Sequence, residues 1–188
     1  MTPIHTLHAG EYLVGTHLER TFRGCRVWLP SKDSGIDFLV TDNECLRTVS
    51  LQVKFSRGFE WDKSAFPEII ISSFFTVQRR KLEASPAQYW VFVLNPFNSK
   101  HPRFLVIRTK ELLEKLIQKD AAGLDAQRLY FSLVGGSESA CKCWDLRCSV
   151  AEKKEALRSR TIAPYRDYSR FLDNWSKMRQ ELLSHNGR

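Results

Sequence analysis

Ser34-Gly35-Ile36-Asp37-Phe38-Leu39-Val40, followed after a short polar link by Val49-Ser50-Leu51-Gln52-Val53-Lys54-Phe55, decides how this chain reads. Both stretches are rich in β-branched and aliphatic residues, and Asp42-Asn43-Glu44 between them has turn chemistry, so the pair reads as a β-hairpin. Alternation along the second strand puts Gln52 and Lys54 on one face and Leu51, Val53 and Phe55 on the other. A polar pair on one strand, facing a lone Asp37 one strand away, supplies what a hard divalent cation and its substrate require: oxygen ligands with a cationic group beside them.

Upstream, the run from Gly10 to Gly24 is helical by pattern. Leu7, Glu11, Val14, Leu18 and Phe22 recur at three- and four-residue spacings on one stripe, which places the Glu11 carboxylate on the sheet-facing side. An unpaired charge buried there would cost several kcal/mol, roughly, so Glu11 calls for a cationic or metal partner. Gly24 ends the helix, and Cys25-Arg26-Val27-Trp28-Leu29 reads as a strand stopped by Pro30.

An amphipathic helix carrying an inward Glu, a strand, a Gly-containing turn, an Asp strand and a Q-x-K strand together resemble the PD-(D/E)XK nuclease superfamily, in particular its Holliday junction resolvase and Mrr-like branch. The fold that this resemblance implies is α/β, a restriction-endonuclease-like mixed β-sheet flanked by helices. Asp37 matches the family's Asp, Lys54 its Lys, and Gln52 stands where Glu or Asp is usual, while Ile36 replaces a frequent Pro. The resemblance implies catalytic roles for Asp37, Gln52, Lys54 and Glu11. It implies Mg²⁺ or Mn²⁺ held by Asp37, Gln52, the Val53 carbonyl and Glu11, the last being a first-helix Glu preceded, as in the resolvase branch, by Gly. Gln52 offers an amide oxygen as ligand but no charge.

The expected activity is metal-dependent endonucleolytic hydrolysis of DNA. The alternatives are a nuclease-fold module that binds nucleic acid without cutting it, with Gln52 as the lesion, or an enzyme directed at RNA. A net charge of +8 favours a polyanionic partner. Arg57, Lys63, Arg79, Arg80 and Lys81 are the candidate contacts to a nucleic-acid backbone. No secretory apolar region opens the chain and no run approaches membrane-spanning length, so a cytoplasmic protein without a membrane partner is expected. Five cysteines at irregular spacing do not describe a disulfide framework, and Cys141-Lys142-Cys143-Trp144 alternates like a strand.

Beyond Lys54 the run Ile69 to Phe75 reads as strand or buried helix, and the family order implies helix. Tyr89 to Leu94 and Phe104 to Ile107 read as strands covered on both faces, with Thr109 capping a helix over 110–118 and a further strand over 129–134. Residues 1–150 are expected to form the nuclease-like domain and residues 151–188 a helical C-terminal extension broken near Pro164. The stripe Tyr165, Tyr168, Phe171, Leu172, Trp175, Met178 and Leu182 reads as packed core or as an oligomer contact, which allows a homodimer.

Overall fold

In the computed structural model, which describes residues 8–32, 34–95, 102–120, 123–135 and 140–183, the long strand β3 (Thr48–Phe59) organises the molecule. Its first half is the centre of one sheet. There β1 (Cys25–Trp28), β2 (Phe38–Asp42) and β3 form an antiparallel meander, β5 (Tyr89–Asn95) lies parallel to β3, and β6 (Arg103–Arg108) returns antiparallel to β5. The β2–β3 link is the expected turn, with Asp42 Oδ1 accepting from the amide of Leu46 at 2.8 Å. At its far end, Gly58 and Phe59 of β3 pair with Ser73 and Ser72 of β4 (Ile69–Gln78), which opens a second antiparallel sheet with β7 (Ala126–Val134) and β8 (Lys142–Asp145).

The described residues thus form a mixed α/β structure of two sheets and five helices. The helices are α1 (Ala9–Thr21), α2 (Arg79–Glu83), α3 (Thr109–Lys119), α4 (Val150–Ser159) and α5 (Ser176–Leu183). No described helix is long and apolar enough to cross a membrane. The run Ile69–Phe75 is strand, contrary to the helix that the family order implied. It pairs with β7 over nearly its whole length, with a register shift between Ile69 and Ile71, and helix begins only at Arg79. Thr109 is the first residue of α3 and not its cap; its hydroxyl is drawn instead to the Ala87 carbonyl.

Period-two alternation sorts the first sheet into two faces. Val40, Val49, Leu51, Val53, Val91 and Val106 point to the side where Val14, Leu18 and Phe22 of α1 pack, joined by Trp175, Met178 and Leu182. Trp90, Phe92, Leu94, Leu105 and Ile107 point the other way, into a second core with Phe75, Leu82, Leu112, Phe131, Tyr168 and Phe171. Segment 151–183 therefore contributes side chains to both cores, and its aromatic stripe is used within the chain. A third cluster, Phe66, Ile69, Trp144 and Leu157, lies under α4. The second core covers its face of the first sheet only from β5 outward. Over β1, β2 and β3 the same face carries Arg26, Trp28, Leu39, Thr41, Ser50, Gln52 and Lys54, all but Thr41 and Ser50 at least partly exposed.

Candidate active site

The pairing of β2 with β3 begins at Phe38 opposite Leu51, so Asp37 stands just before the ladder, its amide held by the Leu51 carbonyl at 2.8 Å. Its Oδ2 accepts two hydrogen bonds, from Gln52 Nε2 at 2.7 Å and from the Val53 amide at 2.6 Å. The first contact fixes the carboxylate on the face of Gln52 and Lys54. The second fixes the edge: the N–H and C=O of one strand residue point to the same side, so the Val53 carbonyl is directed toward the Asp37 side of β3 as well. Asp37, Gln52 and Val53 are thus brought together as the sequence predicted.

Lys54, one row along, leans back over the Trp90 indole with Nζ 5.3 Å from the ring centroid, toward the row of Gln52, which pairs with Trp90. Trp90 itself is anchored by Nε1 donating to Ser85 Oγ at 3.2 Å. The link between α2 and β5 walls this side of the site, with the Pro86 carbonyl accepting from Ser50 Oγ at 3.2 Å. Against this wall, Gly35 adopts φ of +80°, and a Cβ built there would lie 3.7 Å from Gln52 Oε1 and 3.6 Å from Pro86. A side chain at position 35 would therefore be strained by the backbone conformation, though there is room for its Cβ. Gly35 belongs to the Gly-containing turn read in the sequence, whereas Trp90 did not stand out there. Trp90 lies in a near-continuous apolar run, and only its register opposite Gln52 gives it a place at the site.

Glu11 is positioned differently. It is half-buried in the first turn of α1, and Oε2 accepts from the His8 amide at 3.2 Å in a capping box. Helix α1 packs on the apolar face through Val14, Leu18 and Phe22, the face opposite to Gln52 and Lys54, so the described hydrogen bond of Glu11 serves its own helix terminus. Leu7 of the predicted stripe lies outside the described residues.

The basic residues divide. Lys63 Nζ donates to the carbonyls of Ile69 at 2.7 Å and Ile70 at 3.1 Å, and Arg79 pairs with Glu83 at 2.8 Å, which gives both a structural partner. Arg80 and Lys81 are exposed on α2, and the side chain of Arg57 lies outside the described residues.

Compared with known proteins, the chain matches no family model, no curated protein and no solved structure. The residues of the site itself must carry the functional argument. Among the described residues no cluster of three or more His, Cys, Asp or Glu side chains forms a metal centre. The donor set is one carboxylate, one amide oxygen and one backbone carbonyl. It suits Mg²⁺ or Mn²⁺, hard cations that accept oxygen ligands of this kind and complete their shell with water and substrate phosphate. It does not suit zinc, which in proteins takes nitrogen and sulfur ligands first.

Proposed function

We propose that the chain is a Mg²⁺- or Mn²⁺-dependent nuclease with a restriction-endonuclease-like fold, hydrolysing phosphodiester bonds in DNA. The observation that carries this reading is the meeting of Asp37, Gln52 and the Val53 main chain at the open end of β2, with Lys54 on the same face. The order helix α1, antiparallel meander β1 to β3, then β5 parallel to β3 supports it as well, with β4 and α2 in the crossover.

Asp37, Gln52 Oε1 and the Val53 carbonyl would hold the cation, Asp37 supplying the one full charge. When bound, the cation supplies charge neutralisation at the scissile phosphate and acidifies a water. The chain's own groups do the rest. Gln52 Nε2 orients the Asp37 carboxylate through its hydrogen bond. Lys54, held over Trp90, presents a fixed ammonium to the phosphoryl oxygens as their charge grows in the transition state. Glu11 would join the site only by giving up the His8 amide, at a cost of about 1 kcal/mol of helix capping.

Incubation with plasmid, linear, branched and single-stranded DNA in Mg²⁺ or Mn²⁺ tests the proposal. Cleavage is expected, and Asp37→Asn, which keeps the shape and removes the charge, is expected to abolish it in a folded protein. Full activity in that variant would remove the site from the chemistry.

One observation favours a second reading, a nuclease-fold module that binds nucleic acid without cutting it: the group Gln52 turns toward Asp37 is its amide nitrogen, which cannot ligate a metal. Calorimetry separates the two. Binding of Mn²⁺ that is lost in Asp37→Asn supports the enzyme, and nucleic-acid binding without any Mn²⁺ binding supports the module.

A further inference from the structure

Strand β1 carries two residues on the same face as the candidate active site. Cys25 and Val27 pack toward α1, so Arg26 and Trp28 point to the uncovered face shared with Asp37, Gln52 and Lys54. Trp28 pairs with Leu39 on β2, and Asp37 lies two residues before Leu39. On the strand spacing and rise of a sheet, the Cα atoms of Trp28 and Asp37 are about 8 Å apart. The indole is 46% exposed yet anchored: Nε1 donates to Thr41 Oγ1 at 3.0 Å, which draws the ring across the β1–β2 ladder toward the end of β2 that lies away from Asp37. Arg26, opposite Thr41, is exposed beside it.

A single exposed apolar side chain needs no explanation. A large aromatic fixed by a hydrogen bond, one strand from a candidate phosphodiester site and next to an exposed guanidinium, is a different case. Stacking on it entails little ordering cost, because the ring is already held. We propose that Trp28 is a base-stacking platform beside the site, with Arg26 contacting the adjoining phosphate, so that the substrate is a strand unpaired at that nucleotide. This rests on the nuclease reading above.

The choice of occupant follows from charge and from stacking. Arg26 stands beside the indole on the same strand face, on a chain of net charge +8, which suits a polyanion. A free aromatic face accepts any unstacked base, whereas in a continuous duplex both faces of each base are already covered. The platform therefore selects a single strand, a flap or a frayed end over intact duplex.

Fluorescence anisotropy in EDTA, where no cleavage occurs, tests this with three labelled probes: a short oligothymidine, the same backbone without bases, and a duplex of equal length. Trp28→Ala is expected to weaken oligothymidine binding about tenfold, a typical loss for one stacked base, and to leave the abasic and duplex probes unchanged. Trp28→Phe, which keeps an aromatic face, is expected to retain most of the affinity while losing the quenching of intrinsic tryptophan fluorescence that oligothymidine causes in the wild type. That quenching difference is the readout should Trp28→Ala fold poorly. Equal oligothymidine affinity in wild type and Trp28→Ala overturns the proposal, as does an equal loss on all three probes. A Trp28-dependent dimer in light scattering, unaffected by oligothymidine, would assign the indole to a second copy of the chain and overturn it too. The nuclease reading fails separately: a wild type that binds through Trp28 but shows no metal-dependent cleavage keeps the platform and discards the enzyme.

Discussion

Gln52 is where charge and geometry meet most closely, since its amide touches Asp37 Oδ2 at 2.7 Å. Replacing it with Glu exchanges that hydrogen bond for two carboxylates in contact, which repel without a cation and together favour one. Gln52→Glu is therefore expected to lower the melting temperature in EDTA by a few degrees, on the order of 1 kcal/mol for a molecule of this size, and to recover more than the wild type on adding Mn²⁺. Thermal denaturation with and without the ion checks both signs; an unchanged response to Mn²⁺ would place the metal elsewhere. Glu11 gives a contrasting outcome. Its described partner is the His8 amide, so Glu11→Gln, which weakens the capping box and its favourable charge at the helix N-terminus, should lower stability by about 0.5–1 kcal/mol. Turnover per folded molecule should stay unchanged. A fall in Mn²⁺ affinity, measured by calorimetry, would instead bring Glu11 into the site.

At the scale of elements, α1 reaches the sheet because Gly10 has no side chain. A Cβ built there would lie 2.5 Å from the Phe55 Cβ on β3. Alanine in a helix interior ordinarily gains up to about 1 kcal/mol over glycine, but here it forces two backbones apart, a cost of about 1–3 kcal/mol. Gly10→Ala is expected to be destabilising in urea unfolding, and a stabilised variant would show that α1 sits further from β3. Pattern made α1, β1, β2 and β3 legible in the sequence: alternation and three- to four-residue spacing are local signals, and Asp37, Gln52 and Lys54 followed from them. Ile69–Phe75 was not legible as strand, because an apolar run fits either period and its pairing partner, β7, lies more than fifty residues downstream. The contact of Gln52 with Asp37 was foreseeable as proximity; the direction of its amide, nitrogen toward the carboxylate, was not, since alternation gives a face and no rotamer.

For the molecule as a whole, the C-terminal segment decides more than its sequence suggested. Helical spacing identified Tyr168, Phe171, Trp175, Met178 and Leu182 as a stripe, but not that its first two side chains enter one core and the last three the other. His17 lies at the second junction, its ring stacked on Trp175 at 5.0 Å between centroids and tilted on Phe104 at 4.7 Å, which joins α1, β6 and the approach to α5. Burial lowers its pKa below the ordinary 6.5, opposed in part by the nearby Asp173 carboxylate. The folded state therefore binds fewer protons than the unfolded chain between the lowered value and 6.5. Stability rises with pH across that window and levels off above it. A second effect has the opposite sign, since an imidazolium facing two aromatic rings gains cation–π attraction, about 0.5–2 kcal/mol. Desolvation is the largest influence on His17, so the wild-type melting temperature is expected to fall as pH drops from about 7 to about 5, above the range where carboxylates titrate. His17→Phe, which keeps a ring in the stack and removes the proton, should fall less. A wild type that grows more stable on acidification, with the change absent in His17→Phe, would mean that ring attraction outweighs the burial of charge and would reverse the sign of this prediction.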